Sequence, residues 1–262
     1  MIFWFSGTGN SYAAAKEIEK RFGGELVYIP EALEKKRFQY EIPEDERIFF
    51  VFPVYFSGMP ECVRVFTESV KISGSLETVV VMTCGGGCAG ADRLFEKEYC
   101  RNGGRVRAFY DLVMPDNCIF YLKTPIREEA LMILKHSKDR MKDILDSIEY
   151  HHRMPYQSSF SGRLLSSVMH PLYDRMRGTN KFRVTEKCIG CGVCAENCPD
   201  HAIELRDGKP VWVKEKCEKC AGCVNRCPLH AIEYGNVTKK RFRYVHPLFS
   251  TTQGLEKHEQ QK

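Results

Sequence analysis

Eight of the thirteen cysteines in this chain fall between Cys188 and Cys227 in two matching runs, "CIGCGVCAENCP" and "CEKCAGCVNRCP". Each run has the form Cys-x2-Cys-x2-Cys-x3-Cys-Pro. Two-residue spacers let three thiolates converge from one tight loop onto three corners of an iron–sulfur cubane. The fourth cysteine leads away on a short helix and points to the other cluster. The spacing therefore predicts two [4Fe–4S] clusters, one on Cys188, Cys191, Cys194 and Cys227, the other on Cys217, Cys220, Cys223 and Cys198. Gly192 and Gly222 suit loops whose amides must approach inorganic sulfur, and Pro199 and Pro228 stop the helix that would otherwise follow. A pair of zinc sites is the competing reading. Zinc usually takes paired Cys-x-x-Cys units and has no use for a third regular cysteine with a following proline. The half-repeats also match beyond the cysteines, "PDHAIEL" answering "PLHAIEY". His201 and His230 are expected to be paired surface positions, since the thiolates already complete both clusters.

Over about residues 183–235 the chain resembles the bacterial two-cluster ferredoxins. The resemblance implies a small, pseudo-symmetric α+β domain around two low-potential one-electron centres. Such a domain has little core, so the clusters would contribute much of its stability.

A second group of chemically capable residues lies at the start. "FWFSGTGNSYAAAKEI" (Phe3–Ile18) runs from an apolar burst through a hydroxyl-rich loop into an Ala-rich helical pattern. The loop has only Gly7 and Gly9, so it is not the G-x-G-x-x-G dinucleotide fingerprint, and it lacks the lysine of a Walker loop. It offers four side-chain hydrogen-bonding groups (Ser6, Thr8, Asn10, Ser11), two glycines and the free amides of a helix N-terminus. That set will hold a phosphate monoester without a counter-cation. The plainer reading is a strand-to-helix turn with a good N-cap. Two later loops weigh against it: "PVYFSGMP" (Pro53–Pro60) and "TCGGGCAG" (Thr83–Gly90) also end apolar strands.

The elements that must position these loops alternate. Strands are predicted at Met1–Phe5, Glu25–Ile29, Arg47–Phe56, Glu77–Thr83 and, more weakly, Gly104–Met114. Helices are predicted at Asn10–Phe22 and over 60–71, 89–102 and 125–150. The alternation implies right-handed crossovers and a doubly wound five-stranded parallel sheet, whose ligands sit beyond the carboxyl ends of the strands. Residues 1–150 form that domain, 151–182 a linker or docking segment, 183–235 the ferredoxin-like domain and 236–262 a C-terminal extension that frays after about 247.

Residues 1–150 resemble the flavodoxin family. The resemblance implies FMN, with Ser6, Gly7, Thr8, Gly9, Asn10 and Ser11 on its phosphate. Pro53, Tyr55, Phe56, Ser57, Gly58, Thr83, Gly85, Gly86 and Gly87 would enclose the ring. Gly58 would offer a carbonyl to flavin N5, and Asn117 would make a lesser contact. The glycine triplet flanked by Cys84 departs from the acidic third loop of many flavodoxins. Cys84 and Cys88 are expected to be small packing residues beside the ligand. The whole resembles the flavodoxin-plus-ferredoxin family of anaerobe proteins, with "GKPVWVKEKC" and "RFRYVHP" as further signs.

The 262 residues carry a net charge of +5. Basic runs at Arg175–Arg183 and Lys239–Arg243 read as solvated surface, since no aromatic-interleaved nucleic-acid motif accompanies them. "MIFWF" lacks a basic leader, and no apolar stretch is long enough to span a bilayer. The expectation is a cytoplasmic chain with free thiols. It is expected to exchange electrons between FMN and two [4Fe–4S] clusters and on to a redox partner protein, with no nucleic acid and no membrane span. The alternative is a flavin-dependent oxidoreductase that reduces a quinone, a nitro compound or NAD(P). No second dinucleotide loop and no evident acid–base pair accompany it.

Overall fold

The computed structural model describes residues 1–74, 77–150 and 155–249. The start of the expected linker (151–154) and the expected frayed tail from residue 250 lie outside the described residues. The chain divides into two compact units. One comprises residues 1–6, 10–114 and 132–174; the other comprises 7–9, 115–131 and the chain from Arg175 onward.

The first unit is built on a five-stranded parallel sheet. Its strands are β1 (Ile2–Trp4), β2 (Leu26–Tyr28), β4 (Ile48–Pro53), β6 (Thr78–Cys84) and β7 (Val106–Val113), in the order β2-β1-β4-β6-β7. Counted within the sheet this is 2-1-3-4-5, the flavodoxin-like doubly wound order, with its switch point between β1 and β4. Every residue of β4 and β6 is buried, which accounts for their near-continuous apolar sequences.

Alternate residues of each strand serve opposite faces. Phe49, Val51, Val79 and Val81 pack with Ala14, Ala15 and Ile18 of α1 (Asn10–Phe22) and with Met141, Ile144, Leu145 and Ile148 of α5 (Arg127–Tyr150). On the other face Phe3 and Phe50 meet Phe66 of α3 (Glu61–Ser69), with ring centroids 5.1 and 6.3 Å away, and Phe50 meets Phe95 of α4 (Ala91–Arg101) at 5.0 Å. Burying each such ring is worth roughly 1.5–3 kcal/mol. The short helix α2 (Ile29–Glu34) follows β2 directly. A two-stranded parallel pair, β3 (Gln39–Ile42) with β5 (Lys71–Gly74), extends this half.

Between residues 151 and 182, where sequence suggests a linker, the chain forms a 17-residue helix, α6 (Phe160–Met176). It buries Ser166 and Tyr173, and residues up to Asp174 belong to the sheet unit. The unit boundary also departs from the expected 1–150 domain at residues 115–131. There Ile119 and Phe120 pack with Ala221, Val224, Ile232 and Tyr234, and Arg241 donates 2.8 Å bonds to the carbonyls of Ile119 and Leu122.

The second unit is small. Strand β8 (Phe182–Val184) pairs antiparallel with β11 (Ile232–Tyr234), and β9 (Ile203–Arg206) pairs with β10 (Lys209–Trp212). Asp207 and Gly208, with φ of 49° and 70°, turn β9 into β10 as an Asp-Gly type I′ hairpin does. Two four-residue helices, α7 (Val193–Glu196) and α8 (Gly222–Asn225), each carry the third cysteine of a motif.

Candidate functional site

The cysteines gather into two sets of four. One cavity is lined by Cys188, Cys191, Cys194 and Cys227, with Val193 and Leu205 among its apolar walls. A second is lined by Cys198, Cys217, Cys220 and Cys223, with Phe182 and Trp212. Each takes three thiols from one motif and the fourth from the other. Among the described residues, no three His, Cys, Asp or Glu side chains come close enough to hold a single metal ion.

The donor chemistry fits a cluster. Removal from water pushes the thiol of Cys194 up to about 12 and that of Cys217 up to about 11, and raises those of Cys220 and Cys223 well above their ordinary value. Such sulfurs become thiolates only when a metal replaces the proton. Backbone amides already turn toward them. Ala202 N–H donates to Cys198 Sγ at 3.3 Å and Ala231 N–H to Cys227 Sγ at 3.2 Å. Just before the exchanged cysteines, Arg226 Nη2 donates to Asn197 Oδ1 at 2.8 Å and ties the two half-motifs together.

The duplication is written in the backbone as well. Corresponding positions take left-handed conformations: Gly190 and Lys219, Gly192 and Ala221, His201 and His230. His201 and His230 are both exposed, at matching turns after each proline. Gly222 has no left-handed φ. An added Cβ there would lie 3.0 Å from the Gly7 carbonyl oxygen.

Lys219 breaks the symmetry. It is a buried lysine at a position where the first motif has Gly190. Its ammonium donates to the Gly178 carbonyl and lies 3.9, 4.8 and 5.3 Å from the ring centroids of Tyr234, Phe182 and Phe120. Desolvated cation–π contacts of this kind are worth about 2 kcal/mol, enough to offset a left-handed non-glycine backbone. Sequence reading missed Lys219; its mismatch with Gly190 in the repeat was the available signal.

The loop after β1 is buried throughout, from Ser6 to Ser11. Thr8 Oγ1 accepts from the Asn117 amide, so these two expected contacts meet. Ser11 and Thr83 hydroxyls share a 2.7 Å bond that joins the first and third loops. Gly7 and Gly9 make close approaches to protein groups. A Cβ on Gly7 would lie 2.4 Å from the Cys220 carbonyl oxygen, and one on Gly9 would lie 2.9 Å from His246 Cβ. The His246 amide donates to the Thr8 carbonyl at 2.8 Å.

The second loop is a tight reversal. Tyr55 and Gly58 exchange backbone bonds of 2.8 and 2.9 Å, and the residues between them, Phe56 and Ser57, have φ of 48° and 61°. Pro53 pairs with Thr83 across β4 and β6, which brings the second and third loops side by side. In the third loop Thr83 is buried, whereas Gly85, Gly86 and Gly87 are exposed.

Helix α6 packs onto both of these loops. Ser166 Oγ donates to the Ser57 carbonyl at 2.6 Å and accepts from Gly90 N–H at 2.7 Å. The His170 ring stands against Gly58, where an added Cβ would lie 2.1 Å from Nδ1. Tyr173 stacks on Phe56 at 5.5 Å and meets Tyr55 edge-on at 6.2 Å. The spacing of Ser166, His170 and Tyr173 is one helix face, a signal that the apolar stripe on the opposite side of α6 concealed.

The hydroxyl and amide groups of the first loop, ahead of a helix N-terminus, suit a phosphate. The third loop is open along Gly85–Gly87, and the second is filled at Gly58 by His170. No described helix is long and apolar enough to cross a membrane.

A family model described as a 4Fe-4S dicluster domain matches residues 180–238. Over 43 residues the chain is 46% identical to F(420)H(2) dehydrogenase subunit I of Methanosarcina mazei, a stretch covering 16% of this chain and 24% of that protein. The chain thus spans about a quarter of the length of the curated relative it matches. Among solved structures, the Trp repressor binding protein from Bacillus subtilis is similar with a TM-score of 0.34 and 16% identity, over 53% of this chain and 95% of that one. Azoreductase AzrA is similar with a TM-score of 0.33 and 8% identity, over 56% and 99%. Residues 180–238 are an iron–sulfur electron-transfer domain of the 4Fe–4S type.

Proposed function

We propose that this chain is an electron-transfer protein that carries two [4Fe–4S] clusters and FMN, exchanges electrons between them and passes them to a redox partner protein. The observation that carries this reading is the lining of the two cavities, each with four thiols and each borrowing its last from the other motif. Cys188, Cys191, Cys194 and Cys227 hold one cluster; Cys217, Cys220, Cys223 and Cys198 hold the other. A flavin accepts one or two electrons and a cluster accepts one, so the pair joins two-electron to one-electron chemistry.

In this reading the loop from Ser6 to Ser11 binds the FMN phosphate. Tyr55, Thr83 and Gly85–Gly87 take the ring, Pro53, Phe56, Ser57 and Gly58 shape its surroundings, and Asn117 steadies Thr8. The sheet order and the hydroxyl-rich first loop support it, as does the resemblance to a flavodoxin fused to a ferredoxin. The chain's own residues act by exclusion and orientation: buried thiols and directed amides keep water from the irons, and Lys219 supplies positive charge beside the second set.

Anaerobic isolation followed by metal, sulfide and flavin analysis tests the reading. The expected result is about eight iron and eight sulfide per chain, with one FMN bound. Zinc in place of iron, or a chain that binds no FMN, would overturn it. Steady turnover of NAD(P)H with a quinone or nitro acceptor would favour the flavin-dependent oxidoreductase instead.

A further inference from the structure

The two cysteine sets differ in what surrounds them. The tip of the β9–β10 hairpin leans on the first: a Cβ on Gly190 would lie 2.7 Å from the Gly208 carbonyl oxygen, and Lys209 Nζ donates to the Cys188 carbonyl at 2.9 Å. The same hairpin brings Leu205 to the wall of that cavity, and the turn after Pro228 brings Leu229. Both leucines border the thiols and yet stay 41% and 36% exposed. Lys187 is the charged residue of that lining, with no carboxylate beside it. Lys187 and Lys209 are both exposed, and neither pairs with a carboxylate among the described residues.

The second set is closed differently. Asp200 and Glu218 line its cavity beside Lys219, and Glu218 is buried. The backbone of the first loop occupies one side of it, with Gly7 against Cys220. The first set therefore has the apolar, cationic and solvent-facing mouth. Its charge is part of a wider bias. From Arg175 to Phe249 the chain has 15 Lys and Arg against 8 Asp and Glu, although the whole chain carries only +5.

An apolar centre inside a cationic rim suits a brief encounter, in which the leucines are desolvated and the lysines speed the approach of a partner of opposite charge. A second copy docked through the same face would set lysine against lysine. We propose that the face formed by Leu205, Leu229, Lys187 and Lys209 is where the external redox partner docks, and that this partner is a protein presenting carboxylates around an apolar centre. One electron passes between the chain and the partner's acceptor there, and no bond forms or breaks. The assignment rests on the two-cluster reading above and makes the first set the port to the outside.

Ferric cytochrome c, which is basic, and the same protein with its lysines succinylated, which is acidic, are probes with one haem acceptor and opposite charge. The full-length protein is reduced anaerobically and mixed with each, and haem reduction is followed by stopped flow at low and high salt. At low salt the wild type should reduce the acidic probe about tenfold faster than the basic one, and the gap should close as salt screens the charges. K187E/K209E should lose most of that gap, and K187Q/K209Q should show an intermediate loss. K239E/K240E makes the same change of charge at two exposed lysines that line neither cavity, and should keep most of the gap. Equal losses in K187E/K209E and K239E/K240E, or an iron-loaded wild type indifferent to the probe's charge, would overturn the docking face and leave the clusters standing. Iron and sulfide are measured in every sample, and a wild type without them would overturn the cluster reading and the port with it.

Discussion

The ammonium of buried Lys219, which falls between Cys217 and Cys220 in the sequence, lies 3.9 Å from the centre of the Tyr234 ring and donates to the Gly178 carbonyl. The first set has Gly190 at the matching position. A positive charge stabilises the reduced, more negative form of a nearby cluster. Replacing it in K219M keeps most of the volume and removes the charge. At an effective dielectric near 20 this is on the order of 1 kcal/mol, roughly 40 mV for one electron. Redox titration followed by electron paramagnetic resonance should show one of two transitions moving to lower potential by that amount. Two equal shifts, or none, would remove Lys219 as the source of asymmetry.

The exchange of fourth cysteines predicts a crossed pattern of loss. C198A should damage the cluster held by Cys217, Cys220 and Cys223, leaving the one held by Cys188, Cys191 and Cys194. C227A should do the reverse. Because Lys219 marks one cluster by its potential, the transition that disappears identifies which cluster was lost. If C198A removes the transition that is insensitive to K219M, the ligand sets are misassigned.

Ser57 sits in the Tyr55–Gly58 reversal at φ 61°, a conformation that costs an L-residue about 1–2 kcal/mol. Its link to α6 runs through the backbone carbonyl, so S57G keeps the Ser166 bond. After the extra flexibility of glycine in the unfolded chain is subtracted, S57G should stabilise by roughly 0.5–1 kcal/mol. Thermal or denaturant unfolding of the wild type and variant checks this. A destabilised S57G would mean that the serine side chain is itself a structural contact.

Burial holds the His170 imidazole below its ordinary value near 6.5, with a bond to the Tyr55 backbone, Glu61 and, in the opposite sense, Arg64 as smaller influences. Above that value neither state binds the proton and the residue is neutral for stability. Below it the unfolded chain protonates first, so stability falls with falling pH until the depressed folded value is passed. The slope is at most about 1.4 kcal/mol per pH unit. H170Q should flatten the difference between unfolding curves at pH 7 and pH 5.5. An unchanged pH dependence would assign the loss to other groups.

The parts readable from sequence are those carried by local spacing. The fully buried "IFFVFP" and "TVVVMTC" announce parallel strands, and the cysteine intervals give both four-thiol sets in advance of any coordinates. What escaped depends on contacts distant in sequence. Gly7 meets Cys220 and Gly9 meets His246, pairings that no local pattern encodes. Helix α6 was hidden because "PYQSSFSG" precedes it, Pro171 interrupts it and its buried face is only Ser166 and Tyr173. The pair of β3 and β5 joins two four-residue strands across 28 residues of intervening chain. Phe56 and Ser57 give no warning of positive φ, since neither is Gly, Asn or Asp.

The central claim is that electrons move within one chain between the iron centres and a flavin. Rapid one-electron reduction of the full-length, FMN-loaded protein under anaerobic conditions, followed by absorbance at flavin and cluster wavelengths, tests it most directly. Transfer within the chain should give an exchange phase between the two chromophores whose rate stays constant as protein concentration is varied tenfold. A rate that rises in proportion to concentration, or clusters and flavin that never exchange electrons, would contradict it.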